Sequence, residues 1–410
     1  IIKNSNNLIF DVILIPAPSI ASLETLIPFL IYKFKELKYL KVGVLLHDLK
    51  ILNQLLNSNN FLSKIKKYNI FLVLKSNEDF FILPSEINNF EKKLLSNFGI
   101  SFLICRNSFK NKNAQINSLK LNKYKKLITL YSIADFKILL TRYSKLLSKF
   151  DSSHYLSIRH GINLSPLQKE TSNNHPIDFY NNHKTITYFY NSAQEYSFVS
   201  KFEHINKCIY KHIPISRHQN DWIDSIKESK YRYLSSKYIT IFTRPLSDYV
   251  IYSDFKLYKE IFWKLSQDYP DIGIIIKPHP KEKVVYFEKF LKSLSLSNKI
   301  IIERNVSPLN LAFNSIFCIT LYSGLSVDFS FHKIPHLELY FPSLSRFNGY
   351  RGYFLDIENL PSLDFRGFGL ASALISTQQL DDLCKRKSSY KNRLLEFHHR
   401  NYVSIFNKPG

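Results

Sequence analysis

The 410-residue chain contains no methionine, two tryptophans, four cysteines and ten glycines. With methionine absent altogether, contiguous motifs carry more weight than long spacings. The cysteines, Cys105, Cys208, Cys318 and Cys384, lie far apart and form no CxxC pair. A disulfide scaffold or a thiolate metal site needs paired spacings, so buried free thiols in a reducing cytosol are expected, without a metal. Long apolar runs are missing too. None reaches the roughly 18 to 20 residues of a membrane span. The most apolar early stretch, Leu23–Tyr32, is interrupted by Glu24 and Pro28 and followed by Lys33. No n-region, h-region and cleavage site occur in order, so no signal peptide is expected. No GxGxxG or GxxxxGKS motif occurs, which disfavours a dinucleotide site or a P-loop. There is no internal repeat.

Acidic residues are scarce: 33 against 56 Lys and Arg, a net charge of +23. Two readings stay open, a lysine-rich surface without a specific role and a functional basic face. Such a face would serve an anionic membrane surface, an anionic substrate or nucleic acid. No helix-turn-helix, RRM, KH or zinc-finger signature is present. The 26 tyrosines, Tyr188, Tyr190, Tyr231 and Tyr233 among them, follow strand and loop patterns rather than a stacking platform. No nucleic-acid partner is expected.

The length favours two domains. Residues 1–220 alternate strand-like and helix-like stretches. Strands are expected at Leu8–Ile15, Tyr39–Leu46, Ile70–Leu74, Ile100–Cys105, Leu127–Tyr131, around Tyr155-Leu156, and at Thr185–Tyr190 and Tyr196–Ser200. Helices are expected from Ser22, over Leu49–Leu56, over Pro84–Phe98 with proline in the first turn, and over Ala134–Leu147. Continuous apolar strands between helices argue for a parallel sheet covered on both faces. The polar stretch Asp221–Lys237 reads as a linker.

The alternation restarts over residues 238–375. Strands are expected at Tyr238–Phe242, Ile272–Ile276, Ile300–Ile302, Ile316–Leu321 and His336–Tyr340. The helices between them are Asp254–Tyr269, Lys281–Leu294, Pro308–Phe313 and one opened by Ser323-Gly324-Leu325-Ser326. Residues 376–410 form a basic helical segment. The fold class is therefore α/β with two Rossmann-like domains.

Three loops of the second half leave carboxyl ends of strands: TRPLSD, KPHPKE and YSGLSVD. In a parallel sheet that edge is where ligands bind. The loops offer Arg244, Lys277 and His279 with the hydroxyls of Thr243, Ser247, Ser323 and Ser326. Pro278 and Pro280 hold the His279 backbone extended. Gly324 between Ser323 and Ser326 makes a helix start with N–H groups for an anion. Cations, an imidazole and such a helix start suit a phosphate-bearing ligand.

Thr243–Asp248, Lys277–Glu282 and Ser323–Ser326, in this order and spacing, resemble the C-terminal domain of GT-B glycosyltransferases, two Rossmann-like domains facing each other across a cleft. The likeness is to the bacterial sialyltransferases and polysialyltransferases with an HP motif and to the capsule Kdo transferases. The CDP-glycerol glycerophosphotransferases of teichoic acid synthesis share a similar layout. The resemblance covers residues 237–345. It implies that His279 and Pro280 contact a cytidine phosphate, and that the Ser323–Ser326 helix start holds the same phosphate. In the HP-motif sialyltransferases an acidic pair followed by glycine supplies the general base. This chain has Arg159-His160-Gly161 instead, which makes His160 the candidate base and is similar to the His-Gly pair of the teichoic acid enzymes. Asp48, Glu78, Asp79 and Asp135 are reserve carboxylates.

The expectation is an inverting glycosyltransferase moving a sialic acid or Kdo type sugar acid from a CMP donor to a surface glycan or glycolipid. Its catalytic residues would be His160 and His279; its donor site would add Thr243, Arg244, Lys277, Pro280, Ser323, Gly324 and Ser326. No cofactor or metal is called for, because cations and helix dipole can neutralise the phosphate. The setting would be cytoplasmic, on the inner face of an anionic membrane, with Lys385–Lys387 as a contact. A CDP-polyol phosphotransferase is the rival enzyme; a nucleic-acid binder or an inactive GT-B assembly protein are the rivals outside catalysis.

Overall fold

The computed structural model describes residues 12–15, 20–33, 42–46, 55, 67–68, 70–76, 79–83, 126–130, 154–158, 164, 186–199, 208–227, 237–244, 255–279, 282, 284–294, 296, 300–304, 306–340, 354–356, 358–362, 364–385 and 388–407. The chain divides into two compact units. The first comprises 1–161, 171–191 and 199–222; the second comprises 162–170, 192–198 and 223–410.

The first unit is built on one eight-stranded sheet. Its strands are β1 (Val12–Ile15), β2 (Val42–Leu46), β3 (Ile70–Ser76), β4 (Asp79–Leu83), β5 (Lys126–Leu130), β6 (His154–Ile158), β7 (Ile186–Tyr190) and β8 (Cys208–His212). The order is β4-β3-β2-β1-β5-β6-β7-β8. All pairings are parallel except β3 with β4, a hairpin at the edge. Val42, Val44 and Leu46 of β2 and Ile70 and Leu72 of β3 are buried, in keeping with continuous hydrophobic sequence between breakers. The helix α1 (Ile20–Lys33) carries Pro28 inside it and buries Leu23, Leu26, Ile27, Phe29 and Leu30.

Among the described residues four segments differ from the sequence expectation. Tyr196–Ser200 is not a strand: Ala193–Val199 is the helix α2. The Ser192 hydroxyl accepts the Glu195 N–H at 3.2 Å, half of a Ser-x-x-Glu capping box that outweighs the aromatic and β-branched content of Tyr196–Val199. The expected linker opens as the helix α3 (Asn220–Lys227), with Trp222, Ile223 and Ile226 buried. Strands β4 and β8 were not anticipated. The expected helices 84–98 and 134–147 and the strand 100–105 lie outside the described residues, as does most of the expected helix 49–56.

The second unit holds a six-stranded, all-parallel sheet. Its strands are β9 (Tyr238–Phe242), β10 (Gly273–Lys277), β11 (Ile300–Ile302), β12 (Cys318–Thr320), β13 (His336–Leu339) and β16 (Ala373–Leu374), ordered β11-β10-β9-β12-β13-β16. A small antiparallel pair, β14 (Phe354–Leu355) and β15 (Pro361–Ser362), lies between β13 and β16 in sequence. The helices are α4 (Phe255–Asp268), α5 (Val284–Lys292), α6 (Pro308–Phe313), α7 (Leu325–Phe331), α8 (Asp364–Gly367), α9 (Gln378–Cys384) and α10 (Ser389–Phe406). The expected C-terminal helical segment is thus two helices, the second restarted by Ser388, whose hydroxyl accepts the Lys391 N–H.

The core explains the pattern. Tyr258, Ile261, Phe262 and Leu265 repeat at helical spacing on α4 and pack with Ile239, Ile241, Ile274 and Ile276 of the sheet. Phe290 of α5 stacks on Tyr258 with ring centroids 5.7 Å apart. Among the described residues, no helix is long and apolar enough to cross a membrane.

Candidate functional site

Strand order in the second sheet reverses between β9 and β12: β9, β10 and β11 step one way, and β12, β13 and β16 step the other. A crevice opens at such a reversal beyond the carboxyl ends of the strands. The residues that leave β9 and β12 there are Thr243-Arg244 and Leu321-Tyr322-Ser323-Gly324. They are held close by the backbone. Leu321 N–H donates to Phe242 C=O at 3.2 Å, and Thr243 N–H donates to Lys277 C=O at 3.0 Å.

Arg244 spans the reversal. Its Nη1 donates to Tyr322 C=O at 2.8 Å, and its guanidinium lies 4.6 Å from the centre of the Tyr322 ring. Tyr322 has a left-handed backbone, φ +46°, unusual for a residue with a Cβ. Its ring also meets Phe365, centroids 5.6 Å apart.

The loop after β10 is tied to β9. Glu282 is the tie, and the sequence reading gave it no role. Its Oε2 accepts the Thr243 hydroxyl and the His279 N–H, the latter at 3.2 Å. Its own N–H donates to His279 C=O at 2.8 Å. Burial pushes the Glu282 carboxyl above the ordinary carboxylate range, against the two hydrogen bonds that pull it down. The fully buried Tyr258 phenol is pushed up in turn, first by burial and then by the Glu282 charge.

The structure therefore brings Thr243, Arg244, the His279 backbone and Ser323-Gly324 to one sheet edge. Lys277 is directed elsewhere: its Nζ donates to the carbonyl of Arg304, beyond β11 and on the other side of β10 from the reversal. The helix start departs from the expectation of free N–H groups. Leu325 N–H bonds to Ser323 Oγ at 3.3 Å, Ser326 N–H to Ser323 C=O at 3.0 Å, and Val327 N–H to Gly324 C=O at 3.2 Å. Ser326 is fully buried, so its hydroxyl faces the interior of the unit. The helix is only seven residues long, which limits its dipole. Gly324 has ordinary helical angles, and a Cβ there would meet Phe365 at a normal 3.7 Å, so space does not demand glycine. His160, Pro280 and Ser247 lie outside the described residues, as do Arg159, Gly161 and the reserve acids Asp48, Glu78 and Asp135; Asp79 begins β4. Among the described residues no cluster of His, Cys, Asp or Glu could hold a metal.

A second charged cluster lies deeper. Arg366 Nε donates to Glu338 Oε1 at 2.9 Å and Nη1 to Asp356, with all three side chains about 1% exposed. It joins β13, α8 and the segment after β14, and no single stretch of sequence announces it.

Neither a family model nor a curated protein matches the chain. Solved structures do. A UDP-N-acetylglucosamine 2-epimerase from Listeria monocytogenes superposes with a TM-score of 0.51 at 11% identity, over 95% of this chain and 93% of that one. The fold is GT-B. The S. aureus MnaA–UDP complex gives 0.49 at 13% identity, over 95% and 90% of the two chains. The wall teichoic acid polymerase TagF gives 0.49 at 11% identity, over 97% and 84%. At these identities the likeness speaks to the GT-B fold alone.

Proposed function

We propose that this GT-B chain is a transferase that takes its donor as a cytidine nucleotide, with the donor phosphate seated where β9 and β12 part. The observation that carries the reading is Arg244 bridging that reversal, beside the His279 loop pinned by Glu282. Departure of a nucleotide monophosphate leaves charge on its phosphate, and fixed donors aimed at that charge lower the barrier. In this reading Arg244 and His279 supply the donors, with Thr243, Ser323 and Gly324 shaping the loops. His160, two residues beyond the end of β6, takes the proton from the acceptor hydroxyl. The donor is CMP-activated, its sugar a sialic acid or Kdo type acid, and the acceptor a surface glycan or glycolipid at an anionic inner-membrane face. A CDP-polyol phosphotransferase is the second reading, favoured by the His160-Gly161 pair standing where an acidic pair would serve a sialyltransferase.

The test is a donor panel of CMP-sialic acid, CMP-Kdo, CDP-glycerol and UDP-N-acetylglucosamine, scored by nucleotide released with a glycan acceptor. Release of CMP from a CMP-sugar, lost in His279→Ala and in His160→Ala, is the expected result. Turnover of CDP-glycerol alone would select the second reading. Turnover that survives His279→Ala would remove the site assignment.

A further inference from the structure

We propose that Glu282 is a positioning residue: it locks the loop after β10 to the end of β9, so that His279 and Thr243 meet a ligand as one rigid edge. The inference rests on the proposed function, since the site it positions is the nucleotide site named there. Three bonds make the lock. Glu282 Oε2 takes the Thr243 hydroxyl and the His279 N–H, and Glu282 N–H returns to His279 C=O. A fourth bond, Thr243 N–H to Lys277 C=O, ties the same two segments from the other end. The loop is thereby fixed on both sides of His279.

A carboxylate beside an anion site looks misplaced, because like charges repel. The geometry removes the conflict. Glu282 spends the lone pairs of Oε2 on a hydroxyl and an amide of its own protein. Burial pushes this carboxyl up, and the same two hydrogen bonds pull it down. What the site needs from this side chain is two acceptor bonds at one oxygen. A glutamine supplies such an oxygen without charge; an alanine supplies nothing.

Amide hydrogen exchange over residues 277–282, without nucleotide, is to be compared in wild type, Glu282→Ala and Glu282→Gln. Affinity for CMP and CDP is to be measured calorimetrically on the same proteins and on His279→Ala. Glu282→Ala is expected to speed exchange at the His279 and Glu282 amides by about tenfold or more, and to weaken nucleotide binding by about tenfold, the scale of one to two lost hydrogen bonds. Glu282→Gln is expected to restore both, which a general loss of stability would not predict. Unchanged exchange in Glu282→Ala, or faster exchange with unchanged affinity, overturns the proposal. So does a glutamine variant that behaves like the alanine one. If Glu282→Ala does not fold, Thr243→Val removes one bond of the lock and is expected to speed the same exchange by a smaller factor; no change there is equally fatal. Wild-type protein that binds neither nucleotide defeats the functional reading, while the exchange comparison still decides whether Glu282 holds the loop.

Discussion

Arg244 and Tyr322 bond across the strand reversal of the second unit, by a 2.8 Å hydrogen bond to the Tyr322 carbonyl and by a guanidinium 4.6 Å from its ring. The bond and the stack use different properties of the same side chain, its donor fork and its flat, weakly hydrated face. They also steady a backbone held at φ +46°.

Replacing Arg244 by Lys keeps the charge and loses the geometry. We expect Arg244→Lys to weaken nucleotide binding nearly as much as Arg244→Ala, by about 10- to 100-fold, the scale of the roughly 1.5–3 kcal/mol of one charge-assisted bond, to which the cation–π contact adds. Calorimetric titration with CMP and CDP measures it. A lysine variant with wild-type affinity would show that only the charge matters.

Much of the second unit was legible because its strands are apolar on both faces and bounded by breakers. Tyr238–Phe242, Ile300–Ile302 and Pro308–Phe313 appear with the expected bounds. The periodicity of Tyr258, Ile261, Phe262 and Leu265 likewise marked the buried face of α4. The misreading of Tyr196–Ser200 came from weighing side-chain type over the Ser192 cap. The two-residue strand β16 is too short to carry a period. At the site, the three loops could be read from strand ends, but side-chain directions could not. Lys277 turning to Arg304 and Ser326 turning inward are tertiary choices. Glu282 was quoted only as the end of a motif, since its partners Thr243 and Tyr258 are distant in sequence.

Gly369 has φ +68°, and a Cβ there would lie 2.4 Å from Asn401 Nδ2 and 3.1 Å from the Phe397 ring. Asn401 Nδ2 also donates to Gly369 C=O at 3.2 Å. The backbone angle favours glycine, and a Cβ there would also force the Asn401 amide of α10 to shift. Gly369→Ala should cost about 1–3 kcal/mol and loosen α10 first. Denaturant unfolding with exchange mapping over residues 389–406 would measure both, and an unperturbed α10 would contradict the steric argument.

Arg366 neutralises two carboxylates, Glu338 and Asp356, where water does not reach. Arg366→Met leaves both acids without their cation, and the expected loss is about 3–5 kcal/mol at neutral pH. Without the guanidinium two carboxylates are left buried with no cation, and protonation relieves that cost. The deficit of the variant is therefore largest at neutral pH and shrinks as acid removes the two charges. Melting temperatures of wild type and Arg366→Met should converge toward pH 4. Adding Glu338→Gln and Asp356→Asn to Arg366→Met should recover stability at pH 7, and a failure to do so would mean that packing dominates charge there.

Glu282 gives the opposite sort of test, because removing its charge should help. Its carboxyl is raised in the folded chain, chiefly by burial. The folded state then holds its proton to higher pH than the unfolded chain does. The associated stability is complete below the unfolded value and is lost as pH rises through the folded one. Wherever the carboxyl is ionised the wild type carries the cost of a half-buried charge, while Glu282→Gln keeps an acceptor for Thr243 and His279 without it. Scanning calorimetry should therefore find Glu282→Gln as stable as wild type or more so at pH 7 to 8, with the difference shrinking as pH falls toward 4. A glutamine variant less stable than wild type across the whole range would mean that the ionised carboxylate, with its stronger hydrogen bonds, is what the lock depends on.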